Sequence, residues 1–128
     1  MGFFNNIIKK LIGSSISKEI ENMRERDKEY VSMSTDQLKE LSDVDLLSAA
    51  IARAENKIEL YDNLLEGVNS LSEPLRVVYV VYFLEAEVYN GGLSQFYINS
   101  SGATAPLVSE ALGKIWAFEH KKLYDDFT

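Results

Sequence analysis

Apolar and polar positions alternate with a helical period along most of the chain. Phe4, Ile7, Ile8, Leu11 and Ile12 fall at helical spacing beside Lys9 and Lys10, which predicts a short amphipathic helix. Ile16, Ile20, Met23, Asp27 and Tyr30 then step by four, three, four and three through a segment dense in mixed charge, a helix with a narrow apolar stripe. Ser34, Thr35 and Asp36 supply capping chemistry for a brief turn through Leu41. Ser42 followed by Asp45 is an acidic variant of the capping box, and Leu47, Ile51, Ala54, Ile58, Tyr61, Leu65 and Val68 advance by alternate steps of four and three. That pattern predicts one long helix ending near Gly67 and Asn69, with its stripe forming a bundle seam.

The segment from Val77 to Leu84 is an unbroken run of β-branched and aromatic residues that would suit a buried strand. Its flanks favour a helix. Ser72 can cap, Glu73 and Pro74 suit a first turn, and Asn90, Gly91 and Gly92 form a helix stop. A lone strand in a helical chain would also lack a pairing partner. Val77, Tyr79, Val81, Phe83 and Leu84 are then expected to form much of the core. Leu93, Phe96 and Tyr97 give a short helix between glycines. Thr104 and Pro106 open a last helix with an apolar face of Leu107, Val108, Ala111, Leu112, Ile115 and Phe118, flanked by Trp116. The fold class read from this pattern is all-α, a compact helical bundle of five to six helices. Residues 1–31 form an amphipathic and charged leader and residues 32–128 the body.

Composition narrows the chemistry. With no cysteine, thiol nucleophiles, disulfides and thiolate metal sites are excluded, and the single histidine, His120, excludes multi-histidine metal sites. No metal or cofactor is called for. His120 reads as a surface residue or a favourable cation near the end of the last helix. Glu85 and Glu87 lie two apart, about 200° around a helix, so they do not form an acid/base pair. The sequence therefore reads as non-enzymatic. No stretch approaches the roughly 20 apolar residues that span a bilayer, and the expected location is the cytoplasm, with membrane contact through Phe3 to Ile12 as a minor alternative.

The net charge of -7 argues against direct nucleic-acid binding. It is unevenly spread. Residues 1–31 carry six Lys and Arg against five acids, whereas residues 32–128 carry seven against fifteen. On the expected long helix Glu55, Glu59, Asp62 and Glu66 fall at four, three and four spacing, an acidic ribbon that Arg53 and Lys57 dilute. It reads either as a recognition face or as an ordinary solvated side.

The stretch "EAEVYNGGLSQFYINSSG" concentrates glycines, amides and aromatics. With the apolar run before it and "APLVSEALGKI" after it, the stretch resembles the C-terminal domain family typified by a bacterial DNA-mimic protein, over roughly Leu46 to Leu123. The most specific matching positions are Glu85, Glu87, Asn90, Gly91, Gly92, Gln95, Phe96, Asn99 and Gly102. The resemblance implies an all-helical fold. It also implies an acidic protein that occupies a DNA-binding surface on a protein partner, a basic transcription regulator or a toxin. As structure, the motif supplies a helix junction in which Asn90, Gly91 and Gly92 allow reversal and Gln95 or Asn99 satisfies freed backbone groups. As a site, Glu85, Asn90, Gln95, Asn99 and Ser101 would converge as a polar pocket beside Phe96 and Tyr97, able to hold a small polar ligand or a peptide end.

Overall fold

Side-chain caps from Ser34, Ser42 and Asn63 start three of the helices, and Pro74 and Pro106 lie in the first turns of two later ones. The computed structural model describes residues 18–128, the side chains of Ser100 and Ser101 excepted, so the amphipathic segment Phe3 to Ile12 lies outside the described residues. The described chain is all-α. Seven α-helices and one 3-10 turn follow one another, and no strand occurs among the described residues. They are α1 (18–32), α2 (Thr35–Lys39), α3 (Asp43–Ile58), α4 (Leu64–Asn69), α5 (Glu73–Ile98), the 3-10 turn Ser100–Thr104, α6 (Ala105–Lys114) and α7 (Phe118–Phe127). Two compact units are present, the first ending at Ala52 and the second being Arg53–Thr128, so the division falls inside α3.

In the first unit the apolar stripe of α1 reaches its core at Tyr30, which is buried with Ala49 and Ala52 and surrounded by Val31, Met33, Leu38 and Leu41. α2 is held by a full capping box: the Gln37 amide donates to Ser34 Oγ at 3.2 Å and the Ser34 amide donates to Gln37 Oε1 at 2.9 Å. For α3 only half of that device forms, the Asp45 amide donating to Ser42 Oγ at 3.2 Å.

The expected single helix from Ser42 to Val68 is two helices. α3 ends at Ile58, and α4 starts afresh at Asn63, whose Oδ1 accepts the Glu66 amide at 3.1 Å. Gly67 explains why the chain folds back. A Cβ there would stand 3.0 Å from Ile58 Cγ2, 3.2 Å from its Cα and 3.3 Å from its carbonyl oxygen, so Gly67 allows α4 to lie against the end of α3 and does not terminate it.

α5 is a helix, as its flanks predict, with Pro74 in its first turn. Ser72 occupies the N-cap position, yet its side chain makes no capping bond. Within α5 the Asn-Gly-Gly stretch separates two helical segments, as the helix stop read there predicts, and the two meet at a kink. Only Gly92 leaves helical geometry, at φ 79° and ψ -176°, a region open essentially to glycine, and Asn90 keeps a negative φ. The apolar run is also less buried than expected. Tyr79 and Val80 are in the core, whereas Val77, Val81, Phe83 and Leu84 are half-buried and Tyr82 is exposed. The reason is that α5 packs on α6, the 3-10 turn and, less extensively, α4, so its other side stays open. Burial, with a smaller contribution from Glu55, pushes the Tyr79 hydroxyl up to about 12.

The expected last helix is likewise two. α6 closes in a Schellman motif: the Ala117 amide donates to the Leu112 carbonyl at 2.9 Å and the Trp116 amide to the Gly113 carbonyl at 3.1 Å. The left-handed position of that motif, which glycine usually fills, holds Trp116 at φ 61°, 81% exposed. His120 therefore sits in the first turn of α7, and not at a C-terminus. Because Trp116 carries the left-handed penalty and contributes little burial, Trp116→Gly is expected to stabilise the fold by about 1 kcal/mol in urea titrations.

Candidate functional site

The junction after the kink is built around one carboxylate. Glu87 Oε2 accepts hydrogen bonds from Gln95 Nε2 at 3.0 Å and from Asn99 Nδ2 at 2.7 Å, tying the two sides of Gly92 together. Both bonds are charge-assisted, the stronger class. Gly91 makes room for them. A Cβ on Gly91 would collide with the Gln95 side chain, which crosses the backbone there to reach Glu87. Gly102 is needed for a second close approach: a Cβ would lie 2.7 Å from the carbonyl oxygens of both Phe96 and Tyr97. The 3-10 turn can thus cross the end of α5, with the Gly102 amide donating to the Asn99 carbonyl at 2.9 Å.

Phe96 and Tyr97, whose rings meet edge-to-face at 5.5 Å, anchor the junction. Phe96 is fully buried, which contributes on the order of 1.5–3 kcal/mol. The Tyr97 ring stacks on Tyr124 and Phe127 of α7, at centroid separations of 6.5 and 5.9 Å. Its hydroxyl donates to Tyr124 Oη at 2.9 Å, and Tyr124 Oη donates in turn to the Ala105 carbonyl at 3.0 Å. Burial, together with the bond to Tyr97, raises the Tyr124 phenol far above the usual tyrosine range, so it remains a neutral donor.

The residues anticipated as a polar pocket are therefore only partly brought together. Gln95 and Asn99 meet, but on Glu87, which the site reading had left out although it stands in the fingerprint. Their amides are satisfied by the protein. Asn90 is exposed on the helix, Gly91 and Gly92 serve backbone geometry, and Ser101 lies in the 3-10 turn with its side chain outside the described set. Glu85 faces elsewhere, onto the wall of a groove of about 530 Å³. Val81, Leu84 and Val88 of α5 line this groove with Leu112, Ile115 and Leu123 from the α6–α7 corner, so its character is apolar.

The four acids of the expected ribbon are all exposed but do not share a helix. Glu55 is on α3, Glu59 and Asp62 are in the connection, and Glu66 is in the first turn of α4. Among the described residues no group of His, Asp and Glu has the arrangement of a metal site, and no helix is long and apolar enough to cross a membrane.

Residues 69–128 match the family of DMP19-like proteins. The match agrees with the resemblance read from the Asn-Gly-Gly motif, but it begins at residue 69 and not near Leu46. The DMP19-like segment thus contains the Glu87 clamp, the Gly102 crossing and the groove, while Glu55, Glu59, Asp62 and Glu66 precede it. No curated protein and no solved structure matches the chain.

The clamp makes a quantitative prediction for this segment. Glu87→Ala leaves two amides without their acceptor and is expected to cost about 1–3 kcal/mol in urea unfolding. Glu87→Ala combined with Gln95→Ala should cost less than the sum of the two by at least about 0.5 kcal/mol. Strict additivity would mean that the observed bond carries no coupling.

Proposed function

We propose that this is a non-enzymatic interaction protein whose exposed carboxylates engage a basic surface on a protein partner, in the manner of a DNA mimic. The observation that carries this reading is how charge is disposed in the second unit. Residues 53–128 hold six Lys and Arg against eleven acids. Three of the lysines are already paired within the unit: Lys114 with Glu73 at 3.3 Å, Lys121 with Asp125 at 2.8 Å and Lys122 with Asp126 at 3.0 Å. Lys121, followed by Ser109, holds the Asp125 carboxyl below the usual range. By contrast Glu59, Asp62, Glu66, Glu85, Glu110 and Glu119 make no ion pair among the described residues. The unit's field is accordingly negative at its surface, which steers a basic partner toward it and makes binding sensitive to salt.

The family match supports a protein partner of this kind, and the partner fitting the charge is a basic DNA-binding regulator or a toxin. The test is an affinity capture from a bacterial lysate, eluted by a salt gradient, with two charge-reversed proteins beside the wild type. One carries Glu55, Glu59, Asp62 and Glu66 as Lys, the other Glu85, Glu110 and Glu119. A basic protein should elute at moderate salt, be lost from at least one reversed protein, and be displaced by duplex DNA competing for the same surface. Identical retention by all three proteins, or indifference to DNA, contradicts the proposal.

A further inference from the structure

A second surface of the same unit has a different character. The groove between α5 and the α6–α7 corner is walled by Val81, Leu84 and Val88, three and four residues apart on one side of α5, and by Ile115 and Leu123 opposite. Leu123 is 69% exposed and Ile115 is about half exposed, although both are large and apolar. Beside the groove Trp116 keeps a left-handed backbone and an exposed indole in a position where glycine would be unstrained. A volume of about 530 Å³ is within the range of recognition clefts, and its length runs along a helix.

Charge indicates what enters it. Glu85 is the only carboxylate on the groove's wall and makes no ion pair among the described residues. The lysines of α6 and α7 are turned to Glu73, Asp125 and Asp126, and His120, Tyr89 and Tyr124 are the other polar side chains that line the groove. A second copy of the chain would bring Glu85 and the surplus acids of this unit against their own kind. A partner carrying a cation beside its apolar side chains has no such conflict.

We propose that this groove receives an amphipathic helix of a protein partner, its apolar face entering between α5 and the α6–α7 corner and a Lys or Arg on its flank pairing with Glu85. This is helix-in-groove recognition, read by anchors at i, i+3, i+4 and i+7. It stands apart from the charge-based reading above, because its main contribution is apolar burial and survives high salt.

The test uses the full chain and a labelled synthetic helical peptide with leucines on one face and a single flanking Lys, alongside its counterpart with Glu in that place. Binding is followed by anisotropy and by the emission of Trp116, the chain's single tryptophan. The Lys peptide should bind more tightly than the Glu peptide by about threefold to fivefold. Leu123→Asp should weaken both by at least about tenfold while leaving the helical circular dichroism unchanged, since Leu123 is largely exposed. Ile115→Ala should produce a smaller loss in the same direction, and Glu85→Lys should reverse the preference between the peptides. Binding that Leu123→Asp does not change, or a preference that Glu85→Lys does not move, overturns the proposal. So does self-association in sedimentation that excludes the peptide and disappears in Leu123→Asp, which would assign the groove to a second copy.

Discussion

Tyr82, Tyr89 and Phe96 are seven residues apart, and seven residues bring a helix back to within about 20° of the same face. Tyr82 and Tyr89 point to solvent, the latter 92% exposed, so an uninterrupted α5 would carry Phe96 out with them. At about 100° per residue Phe96 would lie roughly 160° from buried Val80. Instead Phe96 is fully buried. The change of direction happens at Gly92, the one residue of α5 with non-helical geometry, and Glu87 fixes it by gripping Gln95 and Asn99 beyond the kink. Everything after this point depends on that redirection. The 3-10 turn crosses the end of α5 through Gly102, Tyr97 stacks on α7, and α6 docks along α5.

Much of this was legible in the residues. Helical periodicity, the cap at Ser34 and the Pro74 start of α5 all express local rules, and local rules act on neighbours in sequence. The misread points were those decided by distant or unusual contacts. The four-three stripe runs smoothly through residues 59–63, and only the packing of Gly67 on Ile58 reveals that the chain turns there. The break between α6 and α7 was hidden because Trp116 adopts the left-handed geometry, for which tryptophan gives no sequence signal. At the junction the sequence suggested Gln95 or Asn99 as partners of freed backbone groups, whereas their side-chain amides bond Glu87. Glu87 lies eight and twelve residues before Gln95 and Asn99, separations at which a straight helix would not let one carboxylate bond both amides.

Before the kink, α5 carries two surfaces that differ in physical character. Toward α6 and the 3-10 turn, α5 supplies Tyr79 and Val80 to the core; along another side, Val81, Leu84 and Val88 remain available as the floor of a groove. Carboxylates without ion pairs lie outside the core, and the lysines of α6 and α7 are engaged locally. The three lysines of α6 and α7 are thus paired locally beside one open apolar groove, and both features lie within the segment that matches the DMP19-like family.

The central claim is that backbone geometry at Gly92 organises the residues that follow it. Hydrogen exchange of Gly92→Ala against the wild type tests this most directly, because a Cβ at Gly92 would meet nothing within 4 Å and any effect must come from the backbone. The account predicts a loss of stability of about 1–3 kcal/mol, with amides of residues 93–104 losing protection ahead of those in α1 and α2. Unchanged protection across residues 93–104 and unchanged stability would contradict it.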